Sequence, residues 1–201
     1  MKKILLVLCG LVWMITSAHA AETPSTAFVH QLADEIITNV LTSKDTQAQK
    51  TERFEKYFLK ALDTQTIGKF VLGRFWRTAS PEERNAFINA FTDMALKSWA
   101  DKFNLYTGQQ ITFLSEQPAE GKNQVYVVSQ IQNDPNPVQV LWRVQEKNGT
   151  YQIVDIIIEG VSMVLSYRNE YTSFLQNHTL TELTDKLQKQ ADSFVVSSGK
   201  K

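Results

Sequence analysis

The chain has 201 residues, with 21 Lys and Arg against 21 Asp and Glu, and 43% of it is apolar. That is the make-up of one ordinary globular domain with a single core. No basic excess is available to neutralise a phosphate backbone, and the aromatic residues are not interleaved with Lys and Arg, which argues against nucleic acid as a partner.

Lys2 and Lys3, the apolar run from Ile4 to Ile15 and Ala18-His19-Ala20 have the order of a secretory signal peptide. The run falls short of the roughly 20 residues that a bilayer span needs. Cleavage after Ala20 is expected, with the mature chain starting at Ala21. Cys9 would leave with the signal, since a lipidated Cys9 would cut the apolar run in half. Loss of Lys2 and Lys3 takes the 21 basic residues to 19 against 21 acidic ones, a net charge of −2, and leaves no Cys. A domain of this size has enough core to reach an oxidising compartment without disulfides.

Phe28, Leu32, Ile36 and Val40 repeat every four residues and predict a first amphipathic helix, which fades over 42–50. Phe54, Tyr57, Phe58 and Ala61 continue as a second. Asp63 is placed to cap a short third helix through Ile67, Phe70, Val71 and Leu72, which Gly73 would stop. In Ser80-Pro81-Glu82-Glu83, Ser80 is an N-cap, Pro81 sits at the first helical position and Glu83 closes a capping box. Phe87, Phe91, Met94, Trp99, Phe103 and Tyr106 extend that helix to Thr107-Gly108, roughly 26 residues or about 39 Å.

From Gln110 the apolar period changes to two. Four strands are expected, Ile111 to Leu114, Val125 to Ile131, Val138 to Val144 and Tyr151 to Ile158, with turns at Glu120-Gly121, at 134–137 and at Asn148-Gly149. Short connections require antiparallel neighbours. Val154, Ile156 and Ile158 form one side of the last strand, and Tyr151, Ile153, Asp155 and Ile157 the other. Gly160 ends it, and Ser162 caps a helix carrying Val164, Tyr167, Tyr171, Phe174 and Leu175. Thr179 to Glu182 offers another capping box before Leu183, Leu187, Ala191 and Phe194. This order gives an α+β fold, with helices packed against a curved four-stranded antiparallel sheet in a single domain. The boundaries are signal 1–20, domain 21–196 and disordered tail 197–201.

The segment from Asp155 to Arg168, with Glu159, Gly160, Val161, Ser162 and Met163 at its centre, resembles the signature of the MlaC family, the toluene-tolerance auxiliary proteins of bacterial ABC lipid transporters. A second block agrees: Val71, Leu72 and Gly73, then Phe75, Trp76, Ala79, Ser80, Pro81, Arg84, Phe87 and Phe91. The resemblance covers nearly all of the mature chain and is weakest before Glu52 and after Leu187. It implies an NTF2-like arrangement and a periplasmic carrier that holds phospholipid tails in its core. Such a carrier would pass lipid between an outer-membrane lipoprotein–porin complex and an inner-membrane ABC transporter complex, supporting outer-membrane lipid asymmetry. It would be a monomer, with no cofactor besides its phospholipid cargo, no metal and no enzymatic activity. By the same route Leu72, Phe75, Trp76, Phe91, Trp99, Val127, Val140, Trp142, Ile156, Ile158, Val161, Val164 and Leu165 are the candidates to line a lipid cavity. Periodicity alone does not tell a filled core from a hollow one.

Other chemistry is sparse. There is no Gly-rich phosphate loop, no HExxH, and Gly160-Val161-Ser162 lacks the second Gly of a nucleophile elbow. His30 and His178 lie in polar or terminal stretches and read as surface residues. Asp155 interrupts an apolar strand. Either it is paired and fixes the corner, or it is a raised-pKa general base in a small enzyme of the same fold. Arg74, Arg77 and Arg168 flank the motif blocks, as solvated residues or as contacts to a phosphate headgroup. A carrier of another lipid, such as a hopanoid precursor, is a further alternative. The sequons at Asn148 and Asn177 carry no meaning in a bacterium.

Overall fold

The computed structural model describes residues 22–133 and 135–198. The expected signal peptide, 1–20, lies outside the described residues, as do 199–201 of the expected tail. The last helix continues through Ser198, so positions 197 and 198 are helical.

Helices come first: α1 (Pro24–Ile36), α2 (Gln47–Ala61), α3 (Thr64–Leu72), the single turn α4 (Phe75–Thr78) and α5 (Pro81–Ala100). Strands β1 (Ile111–Pro118), β2 (Gln124–Ile131), β3 (Val138–Lys147), β4 (Thr150–Ile158) and β5 (Val161–Ser162) follow, and α6 (Met163–Phe174) and α7 (Leu180–Ser198) close the chain. The sheet is an antiparallel meander in the order β1-β2-β3-β4-β5. It has five strands, not the four expected. Glu159 and Gly160 both take positive φ, 50° and 78°, so the chain doubles back in a two-residue hairpin and pairs Val161 with Ile158 before the helix begins.

The capping signals hold. Ser80 and Glu83 form the reciprocal box of α5, at 3.1 and 2.8 Å; Asp63 accepts from Thr66 N–H at 2.9 Å; Ser162 accepts from Leu165 N–H at 3.1 Å. Two helices differ from expectation. The first stops at Ile36 and passes into a wider π-type turn, Ile37–Leu41. Apolar residues spaced by four drift around an α-helix of 3.6 residues per turn, and the wider turn recovers that drift, leaving Val40 fully buried. The long helix is α-helical for 20 residues and then tightens to a 3-10 turn, Asp101–Leu105. There Gln47 Nε2 takes the Ala100 carbonyl at 2.8 Å, and Phe103 meets the Phe54 ring edge-on at 5.1 Å.

Among the described residues the apolar interior forms three clusters. One gathers Val71, Leu72, Phe87, Phe91, Val164, Tyr171 and Leu187 from α3, α5, α6 and α7. A second joins Val40, Phe54 and Phe58 to Ala95, Leu96 and Ala100 at the far end of α5. A third packs α1, through Val29, and Ala61 of α2 onto Val127, Val144 and Ile153 of the sheet. Leu62, between α2 and α3, touches all three. It is pinned by a bridge to Ile153, and Asp63 N–H donates to the Ile153 carbonyl at 3.1 Å.

Strand β4 contains a bulge. Arg143 pairs with Asp155 and Val144 with Ile153, so Val154 has no partner on β3. The extra residue flips the alternation. Ile153 and Ile156 therefore pack in the same cluster, where a regular strand would put them on opposite faces.

Candidate functional site

A narrow apolar crevice opens where the three clusters meet. Its walls are Phe58, Leu62, Thr64 and Ile67 from α2, α3 and the bend between them, Phe91, Thr92, Ala95 and Trp99 from α5, Asp155 and Ile156 from β4, and Met163, Val164 and Tyr167 from α6. Its volume is about 50 Å³, room for one or two waters at ~30 Å³ each. A small-molecule site usually has roughly 300–1,000 Å³. In this form the crevice is closed on its own side chains.

Asp155 is its one carboxylate and is 3% exposed. Ser162 Oγ donates to Oδ2 at 2.6 Å, Val164 N–H donates to Oδ1 at 3.2 Å, and Arg143 Nη2 lies 3.3 Å from Oδ2. The carboxylate therefore caps the first turn of α6 together with Ser162 and ties that helix to the bulge in β4. Both oxygens are occupied in fixing the corner, the first of the two roles weighed for this residue. Thr92 is different. Its buried hydroxyl has no hydrogen-bond partner among the described residues, so an acceptor entering the crevice would find a donor there.

Of the thirteen lining candidates, the fold brings Phe91, Trp99, Ile156 and Val164 together in the crevice. Leu72, Phe75 and Trp76 pack with the helical cluster. Val127 and Trp142 belong to the sheet cluster, the indole N–H of Trp142 donating to Ser129 Oγ at 2.9 Å. Val140 is buried beside them on β3 and Ile158 is half-buried. Val161 and Leu165 face outward, 53% and 47% exposed. The hairpin spends Val161 on edge pairing, and Leu165 lies about 100° around the helix from Val164.

Phe58, Leu62, Ile67, Thr92, Ala95, Met163 and Tyr167 were not singled out as lining residues. The helical apolar pattern marks most of them as interior, and only the meeting of four helices and a strand marks them as neighbours. His30 and His178 are partly exposed, beside Glu22 and Glu182. No group of His, Cys, Asp and Glu that could hold a metal occurs among the described residues.

The family described as MlaC protein matches residues 30–189. The chain belongs to the MlaC family. It is 23% identical over 192 residues to the intermembrane phospholipid transport system binding protein MlaC of Haemophilus influenzae, covering 92% of this chain and 90% of that protein. Its fold is also that of a phospholipid-binding protein from Ralstonia solanacearum solved in complex with a phospholipid, with a TM-score of 0.75 at 18% identity over 86% of this chain and 99% of the other. The two sequence blocks that carry the family resemblance meet in space. The Val71–Gly73 stretch ends α3, and Arg168, at the end of the Asp155–Arg168 block, reaches it from α6. No helix among the described residues is long and apolar enough to cross a membrane.

Proposed function

We propose that this chain is a periplasmic phospholipid carrier that shuttles lipid between outer-membrane and inner-membrane components of an ABC-type transport system. The observation that carries the reading is the crevice at the junction of three separately packed clusters, in a chain of the MlaC family. Leu62 packs against all three clusters, so the crevice would widen by displacement of the side chains at that junction. An acyl chain entering the opened crevice would meet Phe91, Trp99, Ile156 and Val164 first. Each buried CH₂ contributes about 0.8 kcal/mol, so two chains can hold a lipid out of water with no covalent chemistry and no cofactor. The carrier acts as a monomer after the signal is cleaved behind Ala20, and its contacts with the outer-membrane lipoprotein–porin complex and the inner-membrane transporter are transient.

Mass spectrometry of an organic extract of the protein purified from a bacterial periplasm is expected to show phospholipid near one equivalent, and the intact protein should begin at Ala21 without acylation. An extract free of lipid would sink the carrier reading. A hopanoid-type lipid in its place would redirect the cargo assignment. Asp155→Asn is expected to retain lipid while losing stability, because the residue holds α6 and does not abstract a proton.

A further inference from the structure

The corner formed by α3, α4 and α6 carries Lys69, Arg74, Arg77 and Arg168, and no described carboxylate pairs with any of them. Arg168 is the unusual member. It is half-buried, with its guanidinium 4.7 Å over the Phe70 ring and Nη2 3.3 Å from where a Cβ on Gly73 would stand. None of its N–H groups has an acceptor among the described residues. Phe70 and Gly73 thus orient a five-donor fork and leave its edge unfilled. Arg74, the residue after Gly73, stacks over Phe75 at 4.9 Å.

Position gives this corner its meaning. Val164 and Tyr167 wall the crevice on α6, and Arg168 follows Val164 by four residues on the same helix face. Ile67 walls it on α3, and Phe70 follows by three. The two faces that enclose the crevice continue for about one turn, ~5.4 Å, into the Phe70–Arg168 contact. A lipid with its chains in the crevice has its phosphate at the end of those chains. We propose that Arg168, assisted by Arg74, takes the phosphate of the cargo lipid at the α3–α6 mouth of the crevice, by a bidentate charge-assisted contact. This assignment rests on the carrier reading.

The test compares two lipids with the same chains, a phosphatidylglycerol and the diacylglycerol that lacks its phosphate, loaded from detergent onto the delipidated full mature chain. Native mass spectrometry counts the bound lipid. The wild type is expected to prefer the phospholipid. Arg168→Gln should lose about tenfold of that preference, with diacylglycerol uptake unchanged, and Arg168→Lys should keep part of it. Should Arg168→Gln fold poorly by its thermal midpoint, Arg74→Gln and Arg168→Lys supply the comparison. The same preference in the wild type and these variants overturns the headgroup site. Inorganic phosphate binding as tightly as the phospholipid also overturns it, since the site would then serve a free anion. Uptake of neither lipid by the wild type removes the carrier reading and this proposal with it, whereas uptake of both without preference removes only the proposal.

Discussion

Arg168 lies against Gly73, 95 positions earlier in the chain, at the cap that ends α3, where an added side chain would crowd it. Gly73 has φ of 54°, and an added Cβ would stand 3.3 to 3.4 Å from three atoms of the guanidinium. Gly73→Ala therefore meets both a left-handed backbone and a crowded neighbour. A loss of roughly 1 kcal/mol or more is expected, read as a lower denaturation midpoint. An unchanged midpoint would mean that the guanidinium swings clear at no cost.

Val164 is 6% exposed and lines the crevice. Val164→Glu puts a carboxylate against the tails, which costs several kcal/mol unless water or a shifted pKa relieves it. The variant is expected to copurify with much less phospholipid and to lose transfer between donor and acceptor vesicles. A full complement of lipid at unchanged stability would separate the cargo site from this crevice. Gly160→Val is the control for the corner. Nothing stands within 4 Å of a Cβ there, but φ is 78°, so about 1 kcal/mol of backbone strain should lower stability with or without lipid.

Leu62 is the contact common to the three clusters. Leu62→Ala is expected to cost about 2 kcal/mol, the lower end for a Leu truncation because the side chain is only half-buried. It should also widen the crevice and speed lipid uptake from vesicles. Lower stability with slower uptake would instead make Leu62 part of the lipid's own contact surface.

Burial pushes the Tyr171 hydroxyl well above the usual phenol range, with smaller contributions from Tyr167 and Glu170. Burial raises Tyr167 as well, aided by Glu170. The folded chain keeps protons that the unfolded chain gives up above about pH 10. The stabilisation is therefore complete below that value and falls as pH rises beyond it. Urea melts from about pH 8 to about pH 11 should show a steeper alkaline loss for the wild type than for Tyr171→Phe. Parallel curves would show that some other group governs alkaline unfolding.

Much of the fold was legible because local chemistry names its own elements. Ser80 with Glu83, Asp63 and Ser162 each advertise a helix start by a side chain that accepts a backbone N–H, and Asn148-Gly149 advertises a hairpin through the positive φ both residues adopt. Glu159-Gly160 makes a similar turn with a less usual first residue, so β5 was missed and Val161 was turned inward. Four crevice residues were found from the family resemblance, since Phe91, Trp99, Ile156 and Val164 sit in or near its motifs. Thr92 and Tyr167 were not, because an orphaned hydroxyl and the neighbours of a ring are properties of packing. The pairing of Asp155 with Arg143 was foreseen only in kind, since its geometry depends on Val154 being left out of the ladder.

That unpaired valine makes β4 behave like a message with a frame. Upstream of Val154 the odd-numbered Ile153 points to the core, and downstream the even-numbered Ile156 does. Were Val154 to enter the ladder opposite Arg143, everything after it would turn over. Asp155 would leave Ser162 and the first turn of α6, and Ile156 would leave the crevice for the opposite surface. Deleting Val154 would leave the frame intact, since Ile153, Asp155 and Ile156 would keep the β3 partners they have now. The frame is held by which residue stays out of the ladder, and the length of the strand is secondary to it.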